Sequence, residues 1–193
     1  MSSEILKKNF QTRLSNFIKK NKKYFVYTSI IIFFFILAFL FIQNLKKKNE
    51  IKISEEYTQA TILIKQKKLQ ESKLILESII NKEHEFYSPL ALYLIIDNNI
   101  EDDYSKVIDF FDIILKNSSI DKEILNLIKI KKTIYLLNQD DENLIIATLN
   151  PVINSDSIWR NMAIDIIVEY FLSRNQKIRA NEYIQLLDNK INK

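Results

Sequence analysis

Glycine is absent from this 193-residue chain, cysteine is absent, proline occurs twice and histidine once. Without glycine there is no residue free of side-chain clashes for tight turns at positive φ, for glycine-dependent hairpins or for phosphate-cradling loops. The chain is thereby pushed toward helices. Without cysteine there can be no disulfide, thiolate metal site, cysteine nucleophile or acylated N-terminal cysteine. The lone histidine, His84, sits in the polar run NKEHEF and reads as an exposed loop residue. A histidine-based triad or a multi-histidine metal site has nothing to recruit. No catalytic, cofactor-binding or metal-ligating residue is assigned, no cofactor is expected, and the chain reads as a non-enzyme.

Ile, Lys and Asn dominate what is present, as a base-composition bias would produce. The formal charge of +4 averages two unlike parts. Residues 1–48 hold ten Lys and Arg against Glu4 alone, which leaves residues 49–193 with a net charge of −5. An acidic domain is a poor partner for nucleic acid. The acidic runs at 101–103 (EDD) and 140–142 (DDE) fall at helix starts, where carboxylates complement the helix dipole.

Tyr24 to Gln43 reads YFVYTSIIIFFFILAFLFIQ without a charge. As a helix, about 20 residues cover roughly 30 Å, the thickness of a bilayer's hydrocarbon. A buried core helix and a cleaved signal peptide are the competing readings. A soluble domain of this size seldom hides a helix that is apolar all round, and Phe39 to Asn44 offers no small-residue cleavage site. The segment therefore reads as a retained anchor. Seven bases precede it, whereas Lys46, Lys47, Lys48 and Lys52 follow. The positive-inside bias then puts the N-terminus in the cytoplasm and the acidic domain across the membrane, in the periplasm of a Gram-negative cell. Tyr24 and Tyr27 would anchor at the cytoplasmic interface. Upstream, Leu6, Phe10, Leu14 and Phe17 suit either an interfacial helix on anionic lipid or a solvated basic tail. The expected organisation is a basic segment at 1–23, a transmembrane helix at 24–43 and a helical domain at 44–193.

Past the anchor, helically spaced apolar residues are interrupted by short Asn, Asp and Ser clusters, which predicts helices near 50–67, 69–81, 88–98, 103–116, 121–138, 142–153, 157–173 and 177–189. Asn81, Asn98, Asn117, Asn138, Asn154 and Asn175 fall near helix ends, where Asn follows Gly as a left-handed cap. Ser88 ahead of Pro89, and Asp121, Asp141 and Ser157, suit helix starts. Ile53, Tyr57, Ala60 and Ile64 form one core stripe, and Trp159, Ala163, Ile166 and Tyr170 another. Pro151, within LIIATLNPVI, predicts a kink or a restarted helix.

Alternate helices align. Leu69, Tyr104, Asp141 and Lys177 form one column and Ser72, Val107, Leu144 and Ala180 the next, at steps of 35, 37 and 36 residues. Tetratricopeptide repeats have a similar length, and such units stack because one pair cannot bury its apolar face alone. The alternative is a generic helical bundle. The fold expected is all-α, an N-terminal transmembrane helix followed by a right-handed superhelix of about four helical pairs.

The layout resembles the YfgM-type tetratricopeptide-like membrane proteins, ancillary subunits of the bacterial Sec translocon, in its alphaproteobacterial form. The resemblance rests on Tyr57 and Ala60 as Y-x-x-A, on FYSPLALYL with Tyr87, Leu90 and Ala91, and on the late segment with Trp159, Arg160, Ala163, Glu169 and Ala180. It departs from that pattern where the usual inter-helix glycine is replaced by Gln66 to Lys68, by Asn98 and by Asn175. The family implies an inner-membrane protein with its repeat domain in the periplasm. There it would partner the translocon, a membrane-anchored periplasmic prolyl isomerase and secreted chains. The residues themselves leave two functions open: a tethered scaffold binding polypeptides in the repeat groove, or a structural assembly protein for division or wall synthesis. Which residues bind a partner is not specified by the sequence.

Overall fold

A computed structural model describes residues 22–137, 139 and 141–188. Every regular element among them is an α-helix: α1 (Lys22–Lys65), α2 (Leu69–Asn81), α3 (Tyr87–Asp97), α4 (Tyr104–Leu115), α5 (Lys122–Leu137), α6 (Glu142–Ile153), α7 (Arg160–Ser173) and α8 (Lys177–Asp188). The expected interfacial helix on Leu6 to Phe17 and the cap at Asn138 lie outside the described residues. The expected span at 24–43 and the helix expected from 50 both fall within α1. The intervening NLKKKN holds no helix breaker, and Leu and Lys are good helix formers, so nothing ends the helix there.

The chain divides into two compact units, Met1–Lys52 and Ile53–Lys193. In the first, the large apolar side chains from Ile30 to Leu45 are exposed around the helix. Among the described residues this is the one helix long and apolar enough to cross a membrane.

In the second unit, helices adjacent in sequence pack on one another from α2 through α8, and α2 also reaches α4. Two core clusters follow in series. Ile53, Ala60, Leu76, Ile79, Leu92, Phe111 and Ile128 belong to the first; Ile130, Leu149, Ile164, Phe171 and Ala180 to the second. Ile128 and Ile130 lie on α5, so that helix serves both. Both predicted stripes face the core: Ile53, Ala60, Ala163 and Tyr170 are buried, while Tyr57, Ile64, Trp159 and Ile166 pack partly buried against them.

Helix ends show how a glycine-free chain turns. Lys67, Glu83, Asn99 and Asn175 adopt positive φ of 62°, 51°, 49° and 58°. After α1 the Lys68 amide donates to the Leu63 carbonyl and the Lys67 amide to that of Ile64, the paired bonds of a Schellman cap. Asn99 with Ile100 repeats it after α3, and Asn175 with Gln176 after α7. Of the asparagines expected to cap in this way, Asn175 does so. Asn98 precedes its left-handed neighbour, and Asn154 keeps φ of −89°. Asn117 instead accepts from the Ser119 amide and donates to the Glu83 carbonyl.

Starts follow carboxylates where they were expected. Asp103 accepts from the Ser105 and Lys106 amides, Asp121 from those of Glu123 and Ile124, and Asp141 from that of Leu144. Ser88 departs from its expected role. It lies inside α3, buried, and its hydroxyl donates to the Ile79 carbonyl at 2.8 Å, fastening α3 to α2. His84 takes over the cap, its Nδ1 accepting from the Phe86 and Tyr87 amides, so it is half-buried and structural rather than a free loop residue. Ser157 stands ahead of α7, which opens at Arg160 rather than near 157. Pro151 is held within α6, which ends two residues later at Ile153. So close to the end, its missing amide removes one backbone bond without restarting the helix.

Candidate protein-interaction surface

Within the second unit, ion pairs join helices that alternate in sequence. Glu101, just before α4, has a nearly buried carboxylate 3.0 Å from Lys73 of α2 and 3.2 Å from Lys106 of α4. Lys106 also meets Glu77 of α2 at 2.7 Å. Burial would raise the Glu101 carboxyl, but Lys73, the Asp103 amide and Lys106 outweigh it and hold it at about 2. The Lys106 ammonium is raised mainly by its bond to Glu77. Near the far end, Arg179 of α8 pairs with Glu142 of α6 and its guanidinium lies 4.1 Å from the Phe171 ring centroid. The EDD and DDE runs therefore do more than cap: Asp103 and Asp141 cap, while Glu101 and Glu142 clasp neighbouring helices. Asp140 lies outside the described residues.

Further polar contacts tie α5 and α7 to neighbouring segments. The Glu123 carboxylate of α5 accepts from the Ser157 hydroxyl at 2.6 Å and the Ile158 amide at 3.1 Å. Lys132, buried on α5, meets Asp112 of α4 at 2.6 Å. Arg160, the first residue of α7, donates through Nε to the Ile153 carbonyl and through Nη2 to the Leu186 carbonyl, at 2.9 and 2.8 Å. It thus serves carbonyls at the ends of both α6 and α8.

With so many charges paired internally, the exposed apolar residues stand out. On α5, Ile124, Lys131 and Ile134 are exposed and Leu127 is half-buried, at steps of three, four and three along one side. Lys131 Nζ lies 5.4 Å from the Tyr93 ring centroid on α3, whose hydroxyl burial pushes up to about 12. On and beside α7, Ile158, Met162 and Leu172 are exposed, Ile158 at 76 %. An apolar stripe carrying one cation over a tyrosine is suited to gripping an extended or helical polypeptide through side-chain contact rather than to bond-making chemistry. Among the described residues no cluster of three or more His, Cys, Asp or Glu could hold a metal.

The ion-pair clasps were not foreseen from sequence, although a signal existed. Lys73 and Lys106 each follow by one residue or precede by one residue the aligned positions Ser72 and Val107, so charges flanking that column were placed to meet across helices. Arg160 left no such signal, because its acceptors are backbone carbonyls. Compared with protein-family models, curated proteins and solved structures, the chain matches none.

Proposed function

We propose that the chain is a single-pass inner-membrane protein whose tetratricopeptide-like domain, a right-handed superhelix of about four helical pairs, scaffolds secreted polypeptides near the Sec translocon in the periplasm. The observation that carries this reading is the serial packing. Second helices open at Leu69, Tyr104, Glu142 and Lys177, and contacts such as Glu123 with Ser157 and Asn117 with Glu83 join residues 34 positions apart. A repeat array makes contacts at its own period; a generic bundle has no reason to. The exposed apolar stretch of α1 supplies the tether, and tethering raises the local concentration of the α5 and α7 surface near an emerging chain.

A photo-crosslinker at Ile134 in native membranes tests this. Translocon subunits, the periplasmic prolyl isomerase or secreted chains should be recovered, and recovery should fall when Ile124 and Tyr93 are replaced by Asp and Ala. Recovery of division or wall-synthesis proteins alone, with normal export on depletion, would favour the envelope-assembly reading instead. A C-terminal reporter active only outside the cytoplasm checks orientation independently.

A further inference from the structure

The N-terminal half of α5 carries one buried donor without an acceptor, Asn126 Nδ2, beside an ammonium, that of Lys129, whose hydrogen-bond partner is the Asn126 side chain itself. Asn126 is only 2 % exposed, and its amide nitrogen Nδ2 is buried without a partner among the described residues. Its carbonyl oxygen Oδ1 accepts from Lys129 Nζ at 3.3 Å. That bond fixes the orientation of the amide, because turning it over would set an NH2 against an ammonium. The orphan atom is therefore a donor. Lys129 is half-buried and forms no ion pair among the described residues; burial, and then Lys122 nearby, lower its pKa. Lys132 on the same helix differs, since it has Asp112. A buried donor without a partner is costly, and a half-desolvated ammonium adds to that cost.

We propose that Asn126 and Lys129, with Lys122 at the rim, form a binding site for a carboxylate. Asn126 Nδ2 is closed to solvent, so the ligand enters as the Lys129 side chain lying against Asn126 moves aside; one carboxylate oxygen then accepts from Nδ2 and the other from Lys129 Nζ, which has donors to spare. Charge decides the class of ligand. The inner position holds one ammonium beside a neutral amide, so a monoanion neutralises it, whereas a phosphate dianion would leave excess negative charge in a partly desolvated place. Lys131, exposed on the far side of α5, belongs to the other surface. The carboxylate could be a free small acid or the acidic side chain of a bound polypeptide. The site stands on α5 alone and does not rest on the scaffold reading, so crosslinking can fail while carboxylate binding succeeds, and the reverse.

The test uses the full-length chain in detergent, with the Asn126 side-chain amide followed by NMR and thermal unfolding followed in parallel. Probes are sodium acetate, a capped tripeptide with central Glu, and its Gln counterpart, at constant ionic strength set with chloride. Saturable movement of the Asn126 amide signal with acetate and the Glu peptide, but not with the Gln peptide or chloride, is expected. Lys129→Met should weaken binding roughly tenfold or more, as loss of a charge-assisted bond does. Lys129→Arg should retain most of it. A Glu peptide binding at least tenfold tighter than acetate identifies a polypeptide as the source; equal affinity identifies a free acid. No saturable change with any carboxylate, or equal response in Lys129→Met, overturns the proposal. Should Lys129→Met fail to fold, Asn126→Leu serves: a site filled only by water predicts unchanged acetate affinity in that variant, which would also overturn it.

Discussion

Lysine at positive φ is an uncommon solution to ending a helix, and Lys67 shows its cost. The left-handed region brings Cβ close to the following carbonyl and costs a non-glycine residue on the order of 1 kcal/mol. Lys67→Gly should therefore raise unfolding stability by about 0.5–1 kcal/mol after the added entropy of the unfolded chain is counted. Glu83→Gly should act similarly and Asn99→Gly less, since Asn tolerates this region; urea midpoints of the detergent-solubilised chain measure all three. Glu101 yields a pH prediction. Its folded pKa of about 2 lies below the ordinary 4.5, so its contribution is complete above about 4.5 and lost as pH falls toward 2. Stability of Glu101→Gln should be lower than that of the parent at pH 6, and the gap should close by pH 2. These residues also mark the limit of sequence reading. Asp121 and Asp141 were legible as caps because a cap is local. Ser88 was not, since nothing in SP distinguishes a hydroxyl that caps its own helix from one donating to the Ile79 carbonyl of the helix before.

At the scale of elements, the helix boundaries from α2 to α6 were legible almost to the residue, because Asn, Asp and Ser clusters punctuate a strongly periodic apolar pattern. The separate helix expected from residue 50 was misread for the opposite reason: the sequence changes there from apolar to basic residues, and that change gives the backbone no cause to break. Pairing between elements was less legible still. Lys132 would be taken for a solvated lysine, yet it is buried and answers Asp112 across α4 and α5. Asp112→Ala should cost about 1–3 kcal/mol by leaving the buried ammonium without its partner, whereas Lys132→Met should be near neutral, since the half-exposed Asp112 carboxylate stays solvated. The double variant should recover most of the loss, and a double-mutant cycle by thermal denaturation would reveal it.

For the second unit as a whole, the two cores in series mean that stability is distributed along the chain rather than pooled. Leu149 is fully buried in the second cluster. Leu149→Ala should cost about 2–4 kcal/mol, and hydrogen exchange should accelerate in α6 to α8 well before α2 and α3. A uniform rise across all helices would instead indicate one cooperative core. The candidate surface on α5 and α7 was the least legible part, because exposed Ile124 and Ile134 look in sequence like any other isoleucines of an isoleucine-rich chain.

Arg160 has a consequence for how long the protein survives. A protease gains its foothold when α8 lifts away from α7, and the Leu186 carbonyl is held by one guanidinium that simultaneously grips Ile153. A lysine there offers a single ammonium and could not straddle both oxygens. Arg160→Lys should therefore leave α1 intact while hastening cleavage within α8 under limited proteolysis, visible by mass spectrometry as cuts between Lys177 and Asp188.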